Sequence, residues 1–123
     1  MLLKECYDAF GGSYESIKER ISKDEIIKKF VINFLSESSF EYLCKELEEK
    51  NYEEAFRAAH SLKGVCASLS FQSLLTSISS LTELLRNSEQ KEINEEECEK
   101  QLELVRKDYN EVIEAIRNLK EAE

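Results

Sequence analysis

Apolar side chains recur along this chain in steps of three and four, the spacing that gathers them on one face of an α-helix. Leu3, Cys6, Tyr7 and Phe10 open the series, which stops at Gly11-Gly12, where glycine's freedom at positive φ suits a break. Ser13 then reads as the N-cap of a short helix carrying Tyr14, Ile17 and Ile21, because a serine hydroxyl accepts from the otherwise unpaired amides of a first turn. Ser22, Lys23 and Asp24 interrupt the pattern. Asp24 is the expected cap of a further helix, in which Ile26 or Ile27, Phe30, Val31, Phe34 and Leu35 form one wide apolar stripe.

The polar joint Ser36-Glu37-Ser38-Ser39 leads into a helix with Phe40, Leu43, Cys44 and Leu47 on one side, ending in an acidic run. Another helix starts near Tyr52, with a seam of Ala55, Ala59, Leu62, Cys66 and Leu69. Ser70 interrupts it, and Phe71, Leu74, Ile78, Leu81 and Leu85 make a second seam, antiparallel to the first because the joint is short. After a polar loop, Asn94 begins the last helix, whose seam runs through Cys98, Leu102, Val105, Tyr109, Val112, Ile116 and Leu119. These patterns predict an all-α fold, an antiparallel up-and-down four-helix bundle with one or two short N-terminal helices packed at one end.

Composition agrees with that architecture: proline is absent and glycine occurs three times in 123 residues. That length suits one domain over residues 1–123, built around one core. A formal charge of −9 repels phosphate backbones and anionic lipid, so neither nucleic acid nor a membrane is an expected partner. No apolar run approaches the ~20 residues needed to span a bilayer, and Lys4, Glu5 and Asp8 break the stretch a signal peptide would need. The chain therefore reads as soluble and cytoplasmic. The four cysteines, at 6, 44, 66 and 98, have neither metal-ligand spacing nor a second histidine beside them, and are read as small buried hydrophobes with no metal bound.

His60 is the single histidine. At ~100° per residue the seam of its helix centres roughly 220° away from it, so the imidazole points off the core. Glu53, Phe56, Arg57, Lys63, Gly64 and Ala67 share its face. Gly64 has no turn to make there, although glycine inside a helix costs about 1 kcal/mol relative to alanine. A phosphoryl carrier would use all three of His60, Lys63 and Gly64. An imidazole in water titrates at about 6.5, and its neutral nitrogen is a nucleophile towards phosphorus. A lysine one turn on can stabilise phosphoryl oxygens, and a glycine lets the rim of another protein's active site come close.

The string AHSLKGVCASL, Ala59 to Leu69, resembles the phosphoacceptor motif of histidine-containing phosphotransfer (HPt) domains: Ala-His, then Leu-Lys-Gly, then small residues and a leucine. FGGSYES before the bundle and FVINFLSESSFEYLCKELEEKNYEEAFRAAH leading into the motif extend the likeness to small, stand-alone bacterial members over nearly the whole chain. The resemblance implies a four-helix bundle that takes a phosphoryl group on histidine from the aspartyl phosphate of a receiver domain, in a response regulator or hybrid histidine kinase, and passes it on. It makes His60 the acceptor, Lys63 the electrostatic helper and Gly64 the clearance position. It implies no cofactor on this chain, Mg²⁺ being held by the receiver. Consistently, no glycine-rich nucleotide loop is present for ATP-dependent kinase activity.

Two positions depart from the family pattern. Ser70 stands where a glycine usually follows the histidine helix, and is expected to serve as an N-cap. Thr82 occupies a position where many members place Gln or Glu near the imidazole, which makes its hydroxyl the candidate orienting group. Phe56, Arg57 and Ala67 are candidate docking contacts; Phe56 reads equally well as a packing residue, and Arg57 as a solvated charge. A monomer is expected. The alternative function is a helical adaptor, a pseudo-HPt that binds a receiver or kinase without exchanging phosphate; His60, Lys63 and Gly64 favour the carrier.

Overall fold

Helical periodicity becomes burial with few exceptions in the second half of the chain. In the computed structural model, which describes residues 2–122, the helices are α1 (Leu3–Ala9), α2 (Tyr14–Arg20), α3 (Asp24–Asn33), α4 (Ser39–Glu48), α5 (Tyr52–Leu69), α6 (Gln72–Leu85) and α7 (Glu95–Glu121). Short 3₁₀ turns at Phe34–Ser36 and Ser88–Gln90 precede α4 and α7, and no strand occurs among the described residues.

The bundle consists of α4 to α7. Helix α4 packs on α5, α5 on α6 and α6 on α7. The fourth side is closed by Phe40 of α4, whose ring stacks on Tyr109 of α7 with centroids 4.2 Å apart and lies under the Arg106 guanidinium at 5.5 Å. The α5 seam and the whole Phe71–Leu85 series are buried. So are Cys98, Val105, Val112, Ile116 and Leu119 of α7, while Leu102 and Tyr109 lie half-buried at its edge. All four cysteines are free thiols, and Cys6, Cys66 and Cys98 are buried. Burial pushes the Cys6 thiol up to about 11 and the Cys66 thiol up to about 12, so both stay protonated packing groups.

The wide stripe expected in α3 is narrower than its apolar residues suggest. Ile27, Val31 and Phe34 are buried, whereas Ile26 and Phe30 are 43% and 47% exposed. The helix lies beside α2 and α7 and is not enclosed by the bundle, so a single row of side chains meets the core. Asp24 is the first residue of α3, with Lys23 at the cap. Its carboxylate instead accepts from the Lys18 ammonium at 2.7 Å and the Tyr14 hydroxyl at 2.6 Å, contacts that hold it below the usual carboxylate range. Ser13 and Asn94 do cap their helices, accepting from the amides of Ser16 and Glu97.

Ser70 is not an N-cap. It ends α5 in the left-handed region, at φ 60° and ψ 40°, and Phe71 occupies the cap position of α6. The Ser70 amide bonds to the Ala67 carbonyl and that of Phe71 to the Cys66 carbonyl, the closure by which a helix usually ends on glycine. A serine tolerates this backbone here because the N-terminal helices grip it. Arg20 of α2 donates from Nη2 to the Ser68 carbonyl at 2.7 Å, to the Ala67 carbonyl at 3.2 Å and to Ser70 Oγ at 2.7 Å. Tyr7 Oη donates to the Leu69 carbonyl at 2.7 Å, and the Ser13 amide to the Ser70 carbonyl at 2.9 Å.

The negative end of the α5 dipole, which has no basic residue in its own last turn, is thus neutralised by a cation from α2. Arg20→Ala should lower stability by about 1–2 kcal/mol, the scale of charge-assisted hydrogen bonds at a partly exposed site. A drop in the urea midpoint at unchanged slope would show it. Gly11, at φ +71°, completes this end of the molecule. Its carbonyl accepts from the amide and the hydroxyl of Ser73, and a Cβ there would collide with Ser73 Oγ.

Candidate functional site

Near the middle of α5, Ala55, Ala59, Leu62 and Cys66 turn into the bundle, and the same helical register turns His60 out. Its imidazole is exposed. Along the same face Lys63 is half-buried, Gly64 and Ala67 are exposed, and Phe56 is half-buried against the edge of the core. Lys63, Gly64 and Ala67 thus form, with His60, one continuous outward strip on α5.

Gly64 sits in regular helix rather than at positive φ. A Cβ built on it would meet nothing within 4 Å, so neither backbone conformation nor internal packing calls for glycine at this position. The missing side chain leaves open surface one turn from the imidazole.

The Phe56 ring lies parallel to the imidazole, at an interplanar angle of 3° with centroids 5.9 Å apart. Offset aromatic pairs of this kind contribute about 0.5–1.5 kcal/mol beyond area burial. Over Phe56 sits the guanidinium of Arg86, just past the end of α6, at 5.1 Å from the ring centroid. Arg86 also grips the Glu83 carboxylate, with Nε and Nη2 each 3.0 Å from an oxygen. Those hydrogen bonds hold the Glu83 carboxyl below the usual range, helped by the positive charges of Lys63 and Lys91.

Arg57 is taken up by two carboxylates of its own helix, Glu54 at 2.8 Å and Glu53 at 3.1 Å, all in solvent. That is the solvated-charge arrangement, worth little to stability. Thr82 makes no hydrogen bond to the imidazole. It is fully buried, and its hydroxyl donates to the Ile78 carbonyl at 2.7 Å. Its register on α6, one turn from Ile78 and next to Leu81, carries it inward. The aromatic partner of the imidazole is Phe56, and the cation over Phe56 is Arg86, just past the end of α6. The His60–Phe56 spacing of four was a usable signal, since i and i+4 side chains meet on a helix. Nothing local in the sequence pairs Arg86 with Phe56.

No helix among the described residues is long and apolar enough to cross a membrane. Residues 34–122 match the family model for the Hpt domain, a span that takes in the whole of α4 to α7 and leaves α1 to α3 outside. No curated protein and no solved structure matches the chain.

Proposed function

The chain belongs to the Hpt domain family, whose role is phosphotransfer in two-component signalling, and from that premise we propose that His60 accepts a phosphoryl group from the aspartyl phosphate of a receiver domain and passes it on. The observation that carries the reading is the glycine at 64, beside an exposed imidazole and a lysine, where the fold itself has no use for it. A partner that must bring phosphorus within bonding distance of the ring does have a use for it.

In the step, the lone pair of the unprotonated ring nitrogen forms the N–P bond as the P–O bond to the receiver's aspartate breaks, and the carboxylate leaves with the electron pair. The positive charge left on the ring is relieved by loss of the other nitrogen's proton to water. Lys63 places its ammonium near the phosphoryl oxygens, where positive charge contributes most to such a transfer. Mg²⁺ belongs to the receiver in this reading, and this chain holds no cofactor. Onward transfer is the same step reversed, with a second receiver's carboxylate as nucleophile.

Gly64 and Ala67 offer the small, flat surface on which the receiver of a response regulator or hybrid kinase would rest, with Arg57 at its rim. The chain works in this reading as a cytoplasmic monomer. Carrier and receiver must part after each transfer, which suits a contact at the modest end of the interface range.

Gly64→Ala separates fold from function. It should stabilise the bundle, by about 0.5–1 kcal/mol, because alanine loses less conformational entropy than glycine in a helix and meets no clash here. It should also slow phosphoryl transfer, because the new methyl occupies the approach. A thermal melt and a transfer time course on the same sample read both signs.

The test of the reading itself is incubation with receiver domains charged by a small phosphodonor in Mg²⁺, followed by assay of the chain for acid-labile, alkali-stable phosphate. Uptake from a receiver is the expected result. Stable binding of receivers without uptake from any of them would overturn it in favour of an adaptor.

A further inference from the structure

An exposed histidine has freedom about both side-chain torsions, and a nucleophile that must meet phosphorus in line gains rate when that freedom is removed beforehand. Thr82, where an orienting group was expected, is sealed in the bundle with its hydroxyl on the Ile78 carbonyl. Phe56 is the side chain that meets the ring, parallel to it within 3°.

Resting on the carrier reading above, we infer that Phe56, braced by Arg86, is the positioning residue of the phosphoacceptor, holding the imidazole in the plane from which its nitrogen reaches the incoming phosphorus. Three contacts make Phe56 fit for this. Its inner edge packs against the core. Its outer side is covered by the Arg86 guanidinium at 5.1 Å. Arg86 is itself held by the Glu83 carboxylate through bonds of 3.0 Å from two of its nitrogens. The ring is thereby tied to both α5 and the end of α6, and a plane fixed on both helices is handed to the histidine. Stacking also differs from a hydrogen-bonding orienter in its consequence. It constrains the ring while occupying neither nitrogen, so one is left for phosphorus and the other for proton exchange with water.

The first measurement uses the unaltered protein: nuclear Overhauser contacts between the Phe56 ring protons and the His60 ring protons should be present, and their absence overturns the inference. The second compares Phe56→Leu with Phe56→Tyr, which keeps the ring. At saturating receiver, Phe56→Leu should slow the transfer step by about three- to tenfold and move the His60 ring resonances, with receiver affinity held within about twofold. Phe56→Tyr should stay close to the unaltered chain in all three.

Weakened receiver binding with an unchanged maximal rate would mark Phe56 as a docking contact and overturn the inference, as would equal losses in the two variants. The Overhauser measurement needs no variant, so it can overturn the inference even if Phe56→Leu fails to fold. If the unaltered chain takes phosphate from no receiver, the carrier reading falls. The contacts and the His60 shifts then still report whether Phe56 holds the ring.

Discussion

A His60→Gln chain should take up no acid-labile phosphate from any charged receiver, while melting within a few degrees of the unaltered protein and binding receivers as before. The loss is total because glutamine has no nucleophilic lone pair on nitrogen; its amide nitrogen is conjugated into the carbonyl, and nothing else on the face replaces it. The thiols of Cys6 and Cys66 are buried and held protonated. The fold is spared because the imidazole is exposed and off the seam of Ala55, Ala59, Leu62 and Cys66, and substitutions at such positions usually change stability by less than about 0.5 kcal/mol. Label on the glutamine variant would place the phosphoryl group on another residue and end the assignment of His60. A collapse in melting temperature would mean that the imidazole packs inside.

Phe71→Ala should have the largest effect on stability, a loss of about 3–5 kcal/mol, the usual range for emptying a buried phenylalanine site. Phe71 is fully buried at the joint between α5 and α6. Its ring meets Phe10 at 4.9 Å, Phe34 at 5.1 Å and Tyr7 at 5.8 Å, each edge-on. One side chain thus joins α1, the turn before α4, and the bundle. Each lost edge-to-face contact adds to the cavity term. Against a total stability of about 5–15 kcal/mol for a domain, the variant should melt more than about 10 °C lower. It should also free the N-terminal helices to attack by a protease before the bundle itself unfolds. A loss under about 1 kcal/mol would show that the aromatic cluster closes over the gap and does not bind the two parts together.

Arg20 and Phe71 concern the same end of the molecule. The matched family region begins at residue 34, yet the last carbonyls of the histidine helix are satisfied by Arg20 and Tyr7, which precede it. The N-terminal helices are therefore part of what holds the histidine helix in place, and Arg20→Ala and Phe71→Ala disturb that hold by electrostatics and by packing respectively.

The sequence by itself determined the helices, the bundle seams and the outward face of His60, because each depends on the angular register of residues within one helix, a local and periodic property. Leu62 and Cys66 point inward and His60 outward whatever the neighbouring helices do, and so spacing alone put Lys63 and Gly64 on the histidine's face. What the tertiary structure decided was everything that depends on which surfaces meet. Phe30 was expected in a buried stripe and is left outside, and of Ile26 and Ile27 it is Ile27 that is buried, because no second helix covers the other side of α3. Thr82 was expected beside the imidazole and is turned into the bundle by the packing of α6. Ser70 ends its helix in a left-handed turn because Arg20, 50 residues earlier, is there to hold it. The stack of Arg86 on Phe56 on His60 joins the end of one helix to the middle of another, and contacts between distant segments leave no periodic mark on either.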